Sequence, residues 1–169
     1  MTIVIGNPKL GSRTRHAAEL VHTALLGRTP ETAIELVELG PQLLGWGDPA
    51  VKEAVAAVQR SPFVIFASPT FKATYTGLLK LFLDQFAGGE GLRDVVAVPL
   101  LLGAGRHHAL AAEVHLKPVL SELGAITTSP AVFLNDSTFT EDGTIGEFAD
   151  RWGPAIQDAV RGAAARRSS

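Results

Sequence analysis

Thr2-Ile3-Val4-Ile5-Gly6-Asn7-Pro8-Lys9-Leu10-Gly11-Ser12-Arg13-Thr14-Arg15 is the stretch that decides how the chain is read. Its first four residues are all β-branched and three of them apolar, the pattern of a buried strand. Gly6 to Gly11 carries turn residues. From about Arg13 to Leu26 the pattern becomes helical. Strand, polar loop and helix therefore follow one another within a single short segment.

The same alternation continues outward. Strands are expected at Ile34–Leu39, Phe63–Ala67, Val95–Leu102 and Ala131–Leu134. Helices are expected from Pro49 to about Gln59, with Asp48 as N-cap, and at Gly77–Phe86, His108–Leu123 and Ile145–Ala165. Five apolar strands separated by helices imply an α/β fold, a parallel sheet covered on both faces. We expect a flavodoxin-like three-layer sandwich with strand order 2-1-3-4-5. Residues 1–165 read as one such domain, and 166–169 as a frayed tail.

Composition narrows the function. Hydrophobic residues make up 46% of the 169 residues and charged residues 19%, with a formal net charge of −2. That balance gives no general attraction to nucleic acid or to an acidic membrane. There are no cysteines, which removes disulfides, thiolate chemistry and iron–sulfur clusters. Val95–Leu102 is far too short to span a bilayer, and no targeting segment is visible, so a soluble, cytoplasmic chain is expected.

Open α/β sheets bind ligands beyond the carboxyl ends of their strands, where the strand order reverses. Three loops fall there. In the first, Asn7, Lys9, Ser12, Arg13 and Thr14 offer hydroxyls, amides and positive charge. Arg13 and Arg15 lie near a helix start, where the dipole disfavours cations unless an anion binds. A plain turn with Ser12 as N-cap reads equally well from composition alone. The loop lacks the Gly-Lys-Ser/Thr triplet of a nucleotide P-loop and the three-glycine dinucleotide fingerprint. Glu38 is the only candidate for a ribose-binding acid at the end of strand two, so a mononucleotide is favoured.

The second loop, Pro69-Thr70-Phe71-Lys72-Ala73-Thr74-Tyr75-Thr76-Gly77, alternates aromatic and small polar residues. It suits a flat heterocycle with polar edges, or else its aromatics cap the sheet. The third, Gly103-Ala104-Gly105-Arg106-His107-His108, permits close backbone approach, or is a simple glycine turn. His107, His108 and His115 supply too few convergent ligands, and no metal site is expected.

Together these segments resemble the NADPH-dependent FMN reductase family, in particular the reductases that serve alkanesulfonate monooxygenases. Gly6-Asn7-Pro8-Lys9 and Ser12-Arg13-Thr14 resemble the family's first motif. Pro69 through Lys80 resembles its Pro-x-Tyr-Lys-x-x-Tyr-Ser-Gly-x-Leu-Lys motif, and Leu116-Lys117-Pro118-Val119-Leu120 is a third similarity. Asn7, Lys9 and Phe71 depart from the usual Ser, Arg and Tyr, and Lys9 loses bidentate geometry.

The resemblance implies FMN as flavin, with NADPH (or NADH) as hydride donor. Ser12, Arg13 and Thr14, aided by Asn7 and Lys9, would hold the phosphate. Pro69, Thr70, Phe71, Lys72, Ala73 and Tyr75 would line the ring, and Gly103, Ala104, Gly105 and Arg106 would close its other side. Arg106 or Lys72 would stabilise negative charge on the reduced ring. No catalytic acid or base is implied, because the cofactor carries the chemistry. A homodimer or homotetramer is implied as well, with part of the apolar helix Leu78–Phe86 available to it. The expected activity is reduction of FMN for a partner monooxygenase. The alternatives are a quinone- or azo-type reductase with tightly bound FMN, a non-enzymatic electron carrier, or a binding domain without chemistry.

Overall fold

A computed structural model describes residues 1–167. Its strands are β1 (Thr2–Ile5), β2 (Thr32–Glu35), β3 (Phe63–Pro69), β4 (Val96–Gly103) and β5 (Val132–Asn135). All pair in parallel, in the order β2-β1-β3-β4-β5. The helices are α1 (Arg13–Leu26), α2 (Pro49–Arg60), α3 (Gly77–Leu83), α4 (Lys117–Glu122) and α5 (Thr144–Arg167). The flavodoxin-like order expected from the sequence is the one observed.

Side chains along each strand point alternately to two cores. Ile3, Ile5, Phe63, Ile65 and Ala67 pack with Ala17, Val21 and Leu25 of α1 and with Ile156, Val160 and Ala163 of α5. Val4, Val64 and Phe66 pack with Val51 and Val58 of α2, Leu79, Phe82 and Leu83 of α3, and Leu120 of α4. Covering both faces explains why these strands lack any polar alternation.

α1 begins and ends where its caps dictate. Ser12 Oγ accepts from the Arg15 amide, and Gly27 closes the helix in the left-handed region at φ 68°. Asp48 caps α2 by accepting from the Ala50 and Val51 amides.

Several elements differ from the sequence expectation. β2 stops at Glu35, and Leu36–Glu38 curls into a 3₁₀ turn. Glu35 pairs with Ile5, the last residue of β1, so the edge strand has no partner beyond that point. α3 ends at Leu83 rather than Phe86. Its Leu79, Phe82 and Leu83 are buried within this chain, as is Phe86 just beyond.

The helix expected over His108–Leu123 is broken into three. Arg106–His108 forms a 3₁₀ turn, Ala112–Leu116 a π turn, and only Lys117–Glu122 is α-helical. Pro118 lacks an amide and crowds the carbonyl four residues back. Ahead of it the turn widens, and the Lys117 amide reaches Ala112 O.

The fraying expected from residue 166 is not found at Arg166 and Arg167. α5 runs through both. Arg166 Nε meets Asp94 Oδ1 at 2.6 Å, and Arg167 donates to Asp94 O and Gln59 O. Ser168 and Ser169 lie outside the described residues. Among the described residues, no helix is long and apolar enough to cross a membrane.

Candidate functional site

The loops after β1, β3 and β4 meet at the carboxyl edge of the sheet, and one side chain ties two of them together. Thr76 Oγ1 donates to Gly6 O at 2.6 Å and accepts from the Leu79 amide at 3.2 Å, capping α3. The Thr76 amide in turn donates to Ser68 Oγ at 3.0 Å. Gly6 itself is pressed against α3: a Cβ there would lie 2.6 Å from Leu79 Cβ. Thr70 N–H donates to Leu102 O at 2.6 Å, which joins the second loop to the end of β4, just before the third.

Between these loops lies a cleft of about 390 Å³. Asn7, Lys9, Ser12, Arg13 and Thr14 line one end, and Pro69, Thr70, Phe71, Gly103 and Ala104 the other. The remaining sequence candidates are placed differently. Tyr75 is half-buried and packs against the core that includes α3, and this burial pushes its phenol pKa up. Lys72 and Ala73 form the tip of a tight hairpin, and Gly105 and Arg106 sit farther along the third loop. Gly11, Leu102 and Asp136 also line the cleft. Asp136 follows β5, the strand beside β4, so the same edge that nominated the first three loops pointed to a fourth.

The first loop is held from within. Asn7 Nδ2 donates to Thr14 Oγ1 at 2.9 Å, and Asn7 Oδ1 accepts from the Lys9 amide at 2.9 Å. Gly11 turns the chain at φ +60°, a conformation that glycine adopts without strain. In the first turn of α1, the Arg15 and His16 amides turn to Ser12, while those of Arg13 and Thr14 have no intrahelical acceptor. These two amides, with the Ser12 and Thr14 hydroxyls and the helix dipole, are the donors this part of the cleft presents.

The two arginines are not equivalent, contrary to the sequence reading. Arg15 ion-pairs with Glu19 and with buried Glu35, each at 2.8 Å, and these hydrogen bonds raise its pKa further. It needs no external anion. Arg13 is 67% exposed and meets only the rim, 3.7 Å from the Asp136 carboxylate and 3.0 Å from its carbonyl. Arg13 and Lys9 are therefore the cations that the cleft can offer to a ligand. Glu38, the acid considered for a ribose, is exposed in the 3₁₀ turn.

The second and third loops supply the more apolar part of the lining, with Pro69, Phe71, Leu102 and Ala104. Phe71 is half exposed beside the cleft, and its amide and carbonyl close the hairpin with Thr74 at 2.8 and 3.2 Å. The two turn residues between them, Lys72 and Ala73, both have positive φ, 50° and 68°. That is the pattern of a type I′ turn, normally made with Asn or Gly. Thr70 Oγ1 is buried with no hydrogen-bond partner among the described residues. A buried hydroxyl left unpaired costs on the order of 1–3 kcal/mol, so its presence at this wall favours a polar ligand atom.

A cleft at the switch point of a 2-1-3-4-5 sheet, with hydroxyls, amides and cations from the first loop and apolar groups from the second and third, defines a flavodoxin-like protein. The sequence profile described as NADPH-dependent FMN reductase matches residues 1–139, and the chain belongs to that family. FMN reductase (NADPH) from Escherichia coli (strain K12) is 34% identical over 136 residues, covering 78% of this chain and 71% of the relative. An NADPH azoreductase from Bacillus sp. (strain OY1-2) is 26% identical over 164 residues, covering 95% and 88%. Among solved structures, an NADH:FMN oxidoreductase in its apo form superposes with a TM-score of 0.79 at 31% identity, covering 95% of this chain and 88% of that one.

Proposed function

We propose that this chain is an NAD(P)H-dependent FMN reductase that supplies reduced FMN to a partner monooxygenase. The observation that carries the reading is the cleft in a member of this family: amides and cations from the first loop, and a Thr70 hydroxyl with no partner among the described residues on the second.

The residues fit the flavin. The Arg13 and Thr14 amides, the Ser12 and Thr14 hydroxyls and the Arg13 and Lys9 charges would hold the phosphate, and Asn7 fixes the loop that carries them. Pro69, Thr70 and Phe71, together with Gly103 and Ala104, would line the ring site, with Lys72, Ala73, Tyr75, Gly105 and Arg106 on the same loops. When bound, FMN supplies the hydride-accepting ring, so the chain needs no acid or base of its own. The chain's part would be to hold and orient the ring for the nicotinamide.

Relatives with NADPH and with NADH in their names match this chain, so both nucleotides are donors to be compared. The test is NADPH and NADH oxidation with and without free FMN, together with the visible spectrum of the purified protein. We expect colourless protein whose oxidation of nucleotide requires added FMN. No oxidation with FMN present would overturn the reading. The azoreductase relative favours a second reading, in which FMN stays bound and electrons pass to an azo or quinone acceptor. Yellow protein active on those acceptors without added FMN would establish it.

A further inference from the structure

We propose that Glu35 is a positioning residue for the anion-binding loop, an inference that rests on the FMN reading above. Glu35 ends β2, directly beside Ile5, and its side chain is only 2% exposed. Its two carboxylate oxygens accept from the Gly11 amide at 3.2 and 3.1 Å, and Oε1 also accepts from Arg15 at 2.8 Å. The carboxylate thus pins the left-handed turn of the first loop to the sheet edge on one side and to the first turn of α1 on the other.

The geometry separates this acid from the role its position suggests. In doubly wound sheets that bind dinucleotides, an acid at the end of the second strand accepts a ribose hydroxyl. Here both oxygens are already engaged by the chain's own donors, so the group faces the loop from behind. Arg15 neutralises it, which keeps a negative charge from opposing the ligand phosphate. What remains is its hold on Gly11. That hold sets the path of Gly11-Ser12-Arg13-Thr14, and so the direction in which the Arg13 and Thr14 amides point.

The consequence is selective. A residue that aims the phosphate cradle affects FMN but not riboflavin, which has the same ring and no phosphate. Dissociation constants for both flavins are measured by quenching of flavin fluorescence, in wild type, Glu35→Ala and Glu35→Gln. In Glu35→Ala the FMN constant rises at least ~10-fold, as for loss of a charge-assisted hydrogen bond, while the riboflavin constant stays within about twofold. Glu35→Gln keeps an acceptor for Gly11 and stays within about threefold of wild type for FMN.

Unchanged or tighter FMN binding in Glu35→Ala overturns the proposal, as does a proportional loss of both flavins. A wild type that does not distinguish FMN from riboflavin overturns the phosphate reading itself, and this proposal with it. Should Glu35→Ala not fold, hydrogen exchange of the Gly11 amide in ligand-free wild type decides. Exchange slowed at least ~10-fold below the unstructured rate is expected, and exchange at the unstructured rate overturns the role.

Discussion

Replacing Gly6 by alanine tests whether the first loop and α3 are packed as tightly as described. The new methyl carbon would lie 2.6 Å from Leu79 Cβ, 3.3 Å from Thr76 Oγ1 and 3.4 Å from Leu79 Cα. Carbon atoms in contact normally rest ~3.5–4.0 Å apart, so one partner must retreat by roughly 1 Å. Leu79 is fully buried and is held at the capped start of α3, so the backbone has to yield. Overpacking of this kind costs about 1–3 kcal/mol. For a chain of this size each kcal/mol lowers Tm by ~2–4 °C, so a fall of ~2–12 °C is expected by circular dichroism. The same displacement moves both walls of the cleft. A misplacement of ~1 Å can cost up to ~100-fold in rate, and kcat/KM for FMN-dependent NADPH oxidation should drop well beyond the stability effect. A melting point within about 1 °C of wild type, with kcat/KM unchanged, would refute the packing argument.

Other substitutions probe single groups. Arg13→Ala should raise the FMN dissociation constant ~10-fold or more and leave riboflavin alone. Its Tm should hold within ~1 °C, because the exposed pair with Asp136 contributes little. Thr70→Val removes a buried hydroxyl that has no partner, so ligand-free Tm should stay level or rise by ~1–3 °C while FMN affinity falls. Ala73→Gly relieves a left-handed residue at φ 68° and should stabilise the chain by ~0.5–1 kcal/mol in urea unfolding. His22 is buried, with Nδ1 on Arg28 O and Nε2 without a partner among the described residues, and burial lowers its pKa from 6.5. The unfolded chain takes up this proton first, so stability is full above 6.5 and declines as pH falls through it, by up to ~1.4 kcal/mol per unit. Melting points between pH 7.5 and 5.5 should fall in wild type and lose that slope in His22→Gln.

Local chemistry made much of the fold legible. α1 runs from Arg13 to Leu26 as expected because its signals are short-range: Ser12 at one end and Gly27 at the other. Apolar strands spaced by helices imply the parallel sheet, and likeness to the flavodoxin-like fold supplies its order. Errors arose where a distant partner decides. Leu36, Val37 and Leu39 are as apolar as a strand, but β1 ends before they can pair. Arg166 and Arg167 look like a basic tail until Asp94, far away in sequence, receives them.

The site divides in the same way. Loop position alone points to Asn7, Ser12, Thr14, Thr70 and Gly103, and these meet in one cleft. Arg15 reads locally as an anion's partner, because nothing near it in sequence shows that Glu35 already holds it. Asp136 carries no local signal, since its loop has no unusual composition, although its place after β5 puts it on the same edge.

The Thr76 hydroxyl also bears on how this scaffold can be re-engineered. It grips Gly6 from the first loop while capping the helix that follows the second. Exchanging either loop alone for that of another flavoprotein would leave a buried donor or acceptor stranded at the junction. Grafts at this edge should therefore transfer Gly6–Thr14 and Ser68–Leu79 as one cassette, and chimaeras that respect that unit should outlast those that split it.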